Sequence, residues 1–502
     1  MPADEAFAAL RAHEGRRQDG RRGVGRLVVL ALIVLAPAVA LFGLWRFADA
    51  RDEEPEALDL VPVGAPGAPI DPLRTGLLSW RRLPALVAED TNLAQFRDEA
   101  SRFADTLGGR SCVMVSLDGT AVANKAADRA VIPASSMKLL VGAVALEVLG
   151  REHVFTTTLV GTVEGNAVIG DLTLVGGGDP LLTSEAFPTE NDGLGVFNET
   201  SLDDLVDQLA QAGVTSISGD VVGDGSRYDD EFYAPDWVAA DRGVEAGPVD
   251  ALLVNDARVT GQDARSENPS LGAAQELAAT LRSRGITVGG GAATGTAADG
   301  ASELASVESV ALPGVVAEML TTSDNNTAES LLKELGHSEG PPGTRQAGLA
   351  VVRQQLKEWG ADLSSTTLTD ASGLSVTNLV PCSVIHTVLV RSGHADDLES
   401  GLPLAGESGA LSDVFVGTPV EGRLAAKTGT LANAPFDADP PAAKGLAGYL
   451  SVRGGGRIEF TLLLNGPTVN DEANYRPVWD DMVAALASFP SGPRAGELGP
   501  RR

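Results

Sequence analysis

Residues 132–141 read "IPASSMKLLV", with Ser135 and Ser136 side by side and Lys138 three positions after the first serine. From here Met137, Leu140, Val141, Val144, Val148 and Leu149 recur at three- and four-residue spacing until Gly150. That pattern predicts a buried helix of about four turns with a glycine stop. On such a helix the side chains of Ser135 and Lys138 share a face. The stretch is therefore either the polar start of an amphipathic helix or a nucleophile with its base one turn away.

Upstream, residues 111–134 ("SCVMVSLDGTAVANKAADRAVIPA") predict two short strands joined at Asp118-Gly119, a favoured hairpin pair. Downstream, residues 160–300 change texture to short β-branched runs with many glycines, predicting a β-rich block. Within it "VIGDLTLVGGGDPLL" and "SISGDVVGDGSRYDD" look alike, though two copies do not make a repeat architecture. The triple glycines at 176–178 and 289–291 lack the spacing and lysine of a phosphate loop and predict tight turns. Helical periodicity returns from about 305. Near the end, "GRLAAKTGTLA", "GLAGYLSVR" and "RIEFTLLLNG" predict strands, the last two turning at Gly454-Gly455-Gly456, before a closing helix around 476–488. Helix, inserted block, helices, antiparallel strands and helix amount to an α+β body with an insertion in its middle.

The chain has 502 residues, 43% hydrophobic and 21% charged, enough for two or three packed domains. With 38 basic and 68 acidic residues its net charge is -30, which argues against a nucleic-acid partner. Five scattered histidines and two distant cysteines give no zinc spacing, so neither a metal nor a cofactor is expected. Cys112 and Cys382 are read either as one long-range disulfide or as two buried thiols. Residues 27–45 ("LVVLALIVLAPAVALFGLW") carry no charge over about a membrane's thickness. They follow Arg11, Arg16, Arg17, Arg21, Arg22 and Arg26 and precede an acidic segment. The arginine bias predicts a single-pass anchor with the body outside the cytoplasm. A cleaved signal at "AVA" or "ADA" is the other reading, and the length of the apolar run favours the anchor.

Three short motifs stand out: Ser135-Ser136-Met137-Lys138, Ser323-Asp324-Asn325 and Lys427-Thr428-Gly429. Each alone is weak, because "SDN" is also a good helix cap and "KTG" is unremarkable on a strand. In this order they fit an active-serine signature. A serine hydroxyl needs a base, and a lysine titrating near about 10.4 must be held neutral to serve as one. Burial, a helix amino terminus and a second cation all push that way, with Lys427 as the cation. The helix start and the strand after Lys427-Thr428-Gly429 would supply N–H groups for an oxyanion. Gly429 would keep the strand clear for substrate. Thr428 and Thr430 would put hydroxyls beside the lysine, a setting suited to a free carboxylate, Ser323 can relay a proton, and Asn325 can hold a substrate amide.

With these motifs, "PASSMKLL", "GDLTLVGGGDPLL", "SDNNTAESLLKELG", "DASGLS" and "LPLAGESGALSDVFVGTPVEGRLAAKTGTLANA" resemble, in order, the blocks of the class C low-molecular-mass penicillin-binding proteins. These are the DacB-type D-alanyl-D-alanine carboxypeptidase/endopeptidase family. The likeness covers roughly residues 80–490, and the separation of 188 positions from Ser135 to Ser323 agrees with that family's large insertion. The resemblance implies a penicillin-binding-protein/β-lactamase-like transpeptidase domain interrupted by a β-rich inserted domain and preceded by one transmembrane helix. The division expected is a basic tail (1–26), anchor (27–45), acidic and proline-rich linker (46–79), first transpeptidase-like segment (80–160), insert (161–300), second transpeptidase-like segment (301–490) and a disordered tail (491–502).

It further implies a serine carboxypeptidase acting on peptidoglycan stem peptides ending in D-Ala-D-Ala, with β-lactams as covalent inhibitors. Ser135 would be nucleophile, Lys138 base and Ser323 relay; Asn325, Lys427, Thr428, Gly429 and Thr430 would bind substrate. The balance of carboxypeptidase and endopeptidase activity stays open. Ser136 departs from a usual threonine, and Ala410 and Val414 stand where threonine and arginine are expected. A wall-associated binding module without turnover is the alternative. A class A β-lactamase fits less well, because it needs the second motif soon after the first. Glu329 and Lys333 are read as a pair on one helix face.

Overall fold

The computed structural model of the protein describes residues 83–185, 187, 197–432 and 440–498. The anchor at 27–45 and the linker at 46–79 lie outside these. Among the described residues no helix is long and apolar enough to cross a membrane.

The body is built on one five-stranded antiparallel sheet. We label its strands β1 (Cys112–Leu117), β2 (Thr120–Lys125), β3 (Leu424–Leu431), β4 (Ala442–Ser451) and β5 (Arg457–Gly466), and their spatial order is β3-β4-β5-β1-β2. The predicted hairpin forms at Asp118-Gly119, where both residues take positive φ. The second forms over Gly454–Gly456, all three in the left-handed region that glycine enters at little cost.

Period-two alternation assigns the sheet's faces. Cys112, Ala425, Ala447, Tyr449 and Leu463 join a core with the helices α2 (Met137–Val148), α3 (Leu312–Thr322), α4 (Asn325–His337), α5 (Arg345–Glu358) and α6 (Cys382–Arg391). Val113, Leu424, Ala426, Leu446, Leu450 and Leu462 pack on the opposite face against α1 (Leu83–Thr106) and α7 (Glu472–Ala487). The result is a three-layer α/β/α body in which α2 is wholly enclosed as far as Leu146. On the first face Cys112 and Cys382 form a disulfide between β1 and the start of α6, closing a sequence separation of 270 residues. Of the two readings left open by sequence, this is the one found.

The block expected to be β-rich also contains helices. It carries helices Leu202–Gln211 and Pro269–Ser283 over a four-stranded and a five-stranded sheet, with strands from Thr156 to Glu308 and several parallel pairings. The look-alike stretches are neighbours in register: Ala167 and Leu172 face Ser216 and Val221, which in turn face Thr287 and Ala292. A third copy, around "TVGGGAATG", therefore completes a repeat that two copies did not reveal. Each copy passes from one sheet to the other at a glycine. Gly219 N donates to Gly170 O and Gly290 N to Gly219 O, both at 2.8 Å. A Cβ on Gly290 would lie 2.6 Å from Gly219 O, so close approach of three chains, rather than a turn, demands glycine there.

At the far end Gly492 N donates to Asn92 Oδ1 at 2.5 Å and Ala495–Leu498 is a short helix, so residues 491–498 fold back onto α1.

Candidate active site

The first motif sits at a break in geometry. Ala134–Ser136 is a 3₁₀ turn and the α-helix begins only at Met137. Ala134 takes a positive φ of 47°, and a Cβ on Gly373 would come within 2.0 Å of its carbonyl. The Ser135 turn is thus seated directly on the "DASGLS" loop, where only glycine fits. The turn orients the two serines oppositely. Ser135 is half-buried and open to the cleft. Ser136 is 0% exposed, its hydroxyl has no hydrogen-bond partner, and it points at the Cα atoms of Gly429 and Gly445.

Lys138 is fully buried, and its Nζ donates to Ser135 Oγ (3.2 Å), Asn325 Oδ1 (2.6 Å) and Ser372 O (2.8 Å). Burial lowers its pKa to about 8, while Asp324, Asp370 and Glu329 pull it back upward. Lys427, also 0% exposed, donates to Ser323 Oγ (2.8 Å) and Thr428 O (2.9 Å). Its pKa is held well below the ordinary lysine value, first by burial and then by repulsion from Lys138 and Lys444. Burial is thus the first cause of the lowering at both lysines.

Ser323 and Asn325 flank a junction between helices. Ser323 ends α3 in the left-handed region at φ 62°, a conformation costing a non-glycine residue roughly 1 kcal/mol. Asp324 then caps α4, its carboxylate accepting from Thr327 N at 2.6 Å. The capping and functional readings of "SDN" are therefore the same geometry. Asn325 follows at the first turn of α4, its amide oxygen on Lys138 and its Nδ2 donating to Glu245 O at 2.7 Å.

β3 is the open edge of the sheet. Leu424 O and Ala426 N bond outward to Ala405 and Pro403, whereas Arg423 O accepts from Ser451 N inside the sheet. Even-numbered residues therefore turn their backbone groups to the edge, which places the Thr428 carbonyl and the Thr430 N–H on the cleft side. Lys427 and Gly429 project their side-chain positions toward α2, and Thr428 and Thr430 project theirs toward α7. The two hydroxyls are thus on the face opposite the Lys427 side chain. A Cβ on Gly429 would meet Pro133 O at 2.9 Å and Ala134 Cβ at 3.3 Å. The reason for glycine is correspondingly different from the one expected: it lets β3 lie against the Ser135 turn.

The three motifs, far apart in the chain, thus meet at one cleft. Residues 104–264 and 249–489 match the D-Ala-D-Ala carboxypeptidase 3 (S13) family. The chain belongs to that family. It is 31% identical over 375 residues to carboxypeptidase DacB of Mycolicibacterium smegmatis, covering 72% of this chain and 76% of that protein. To a D-alanyl-D-alanine carboxypeptidase of Actinomadura it is 28% identical over 473 residues, covering 76% and 83%. Its fold matches that of penicillin binding protein 4 (dacB) from Haemophilus influenzae with a TM-score of 0.64 at 21% identity, over 78% of this chain and 99% of that one.

Beyond the three S13 motifs, the site rests on residues whose role the spacing of the motifs did not show. Glu329 is not paired with Lys333. Buried on α4, it accepts from Ala371 N (2.9 Å), Ser372 N (2.8 Å) and Arg345 Nε (3.1 Å), fixing the loop that offers Ser372 O to Lys138. Lys333 instead reaches across to Asp229 of the inserted block at 2.8 Å. Arg227–Glu334, Arg345–Glu231 and Trp237–Asp370 extend this seam between insert and body. The "DASGLS" stretch was the sequence signal for the loop, but no spacing rule links it to Glu329. Of the two departures near 410, Val414 packs in the core with Leu411 and Phe415, and Ala410 is exposed.

Proposed function

We propose that Ser135 is the nucleophile of this serine-type D-Ala-D-Ala carboxypeptidase and that Lys138 is its base. The observation that carries the assignment is the 3.2 Å approach of Lys138 Nζ to Ser135 Oγ, with the lysine buried and its pKa brought to about 8. Lys138 accepts the Ser135 proton as Oγ bonds to the penultimate D-alanine carbonyl, and the C–N bond to the last residue breaks. The leaving amine takes its proton by way of Ser323, whose hydroxyl is held by Lys427. Water, activated by the same lysine, then cleaves the ester.

The oxyanion is held by the N–H groups of Ser135 and Thr430. Asn325 holds a substrate amide, and the Thr428 and Thr430 hydroxyls at the open edge of β3 hold the terminal carboxylate, with Lys427 adding its charge from the other face of the strand. Gly429 acts by letting β3 close on the turn. β-Lactams acylate the same serine, in keeping with a complex of the Haemophilus protein with a β-lactam. The test is release of D-alanine from a peptidoglycan pentapeptide. Steady release is expected, whereas acylation by penicillin with no release would assign a binding module instead.

We further infer that the apolar run 27–45 tethers the chain to the membrane with residues 80–490 outside the cytoplasm, and that 161–300 is an inserted domain. The arginines before that run support the orientation. Penicillin-labelled chain should sediment with membranes after alkaline extraction; a shortened chain recovered from the medium would contradict the anchor.

A further inference from the structure

One cation beside the cleft has no role in the acylation and hydrolysis steps. Lys444 stands on β4 directly across from Thr430 of β3, and the side chains of such a pair share a face. Its Nζ donates to Thr430 Oγ1 at 2.8 Å. The same ammonium lies 4.2 Å from the ring centroid of Tyr475 and 5.1 Å from that of Trp479, both on α7. Two aromatic faces and one hydroxyl thus hold a half-buried ammonium in a single position, which an exposed lysine would not keep.

The bond has a chemical consequence. An ammonium only donates, so Thr430 Oγ1 must accept, and the hydroxyl's own proton is directed elsewhere. Thr430 is exposed, at the open edge of β3 immediately after Lys427-Thr428-Gly429. We propose that Lys444 is a positioning residue for the substrate's terminal carboxylate: it fixes Thr430 as a hydrogen-bond donor to that group and adds a positive charge behind it.

The electrostatics agree. Burial lowers the Lys444 pKa to about 8, with Arg476 pushing the same way and Glu472 opposing, so the group remains mostly charged at neutral pH. Its field is among the influences lowering the pKa of Lys427. A carboxylate at the edge of β3 would be attracted by both charges, and an uncharged terminus would not.

The inference rests on the carboxypeptidase reading of the cleft and is tested separately from it. Two acyl-D-alanyl thioesters serve, one releasing mercaptoacetate with a free carboxylate and one releasing its neutral methyl ester. In both, Ser135 Oγ bonds to the same carbonyl, the C–S bond breaks, and the thiol leaves with the proton passed through Lys138. Lys444→Met should raise KM for the acid thioester about tenfold with kcat within about twofold, as expected for loss of a charge-assisted hydrogen bond. The neutral thioester should change by less than about twofold, and Lys444→Arg should restore most of the acid's KM. Equal losses on both thioesters would assign Lys444 a merely structural role and overturn the inference, as would no loss on either. Wild-type protein that cleaves neither thioester would overturn the peptidase reading itself, and this inference with it.

Discussion

Lys138→Met should lower kcat/KM for D-alanine release, and the rate of penicillin acylation, by about a thousandfold, within the range for removing a general base. Methionine fills nearly the same volume in the same buried position, so the chain is expected to fold. The loss is therefore read on chemistry rather than packing. The pH profile separates the two further. The active base is the neutral amine, so kcat/KM of the wild type should rise about tenfold per unit as pH increases toward 8, where Lys138 loses its proton. The methionine variant should lack that limb. A variant retaining activity within about tenfold of wild type, or the same limb, would transfer the base to another group. Lys427 would be the first candidate, since its ammonium is the other buried one at the site.

The second large effect is on the fold. Glu329→Leu should destabilise the protein by about 3–5 kcal/mol, the cost of leaving a buried charge without its partner. Glu329 is fully buried and serves three donors: the Arg345 guanidinium and the amides of Ala371 and Ser372. Without it Arg345 keeps only Glu231, which is partly solvated. The double variant Glu329→Leu/Arg345→Leu should recover some of the loss, because it buries no unpaired charge, but not all, because two amides remain without acceptors. Acylation should stay depressed in both, since Ser372 O is no longer fixed beneath Lys138. Urea unfolding of the three proteins measures the first effect and timed penicillin labelling the second. A single-variant loss below about 1 kcal/mol would mean that the loop is held by something other than Glu329.

What the sequence showed and what it hid follow from the range of the interactions involved. The helix after Ser136, the two hairpins and the cap at Asp324 are local, and their periodicity or turn residues made them readable. The Ser135–Lys138 pair was readable because a fixed three-residue spacing translates directly into a shared face. Glu329 and Lys333 were misread for the same reason. Their four-residue spacing suggested each other, whereas burial gave each a stronger partner far away in sequence, Arg345 with the 371–372 amides and Asp229 respectively. The inserted block looked β-rich because its strands are short and glycine-punctuated, which drew attention from the helices Leu202–Gln211 and Pro269–Ser283 between them. Gly429 was singled out for a different reason, for its neighbour, the Pro133 carbonyl, belongs to a turn almost 300 residues earlier, and no linear pattern carries that contact. Lys444 shows the same limit: its register with Thr430 exists only once β3 and β4 are paired.

The choice of Ser135 over Ser136 is the claim on which the rest depends. Ser136 is sealed against β3 and β4 with an unpartnered hydroxyl, so an alanine there removes nothing the site uses. Ser135 alone has the base within 3.2 Å. Labelling with a fluorescent penicillin, with intact mass as a check, compares wild type, Ser135→Ala and Ser136→Ala on one gel. Label should be lost in Ser135→Ala and kept in Ser136→Ala. Label that persists in Ser135→Ala would contradict the assignment of the nucleophile.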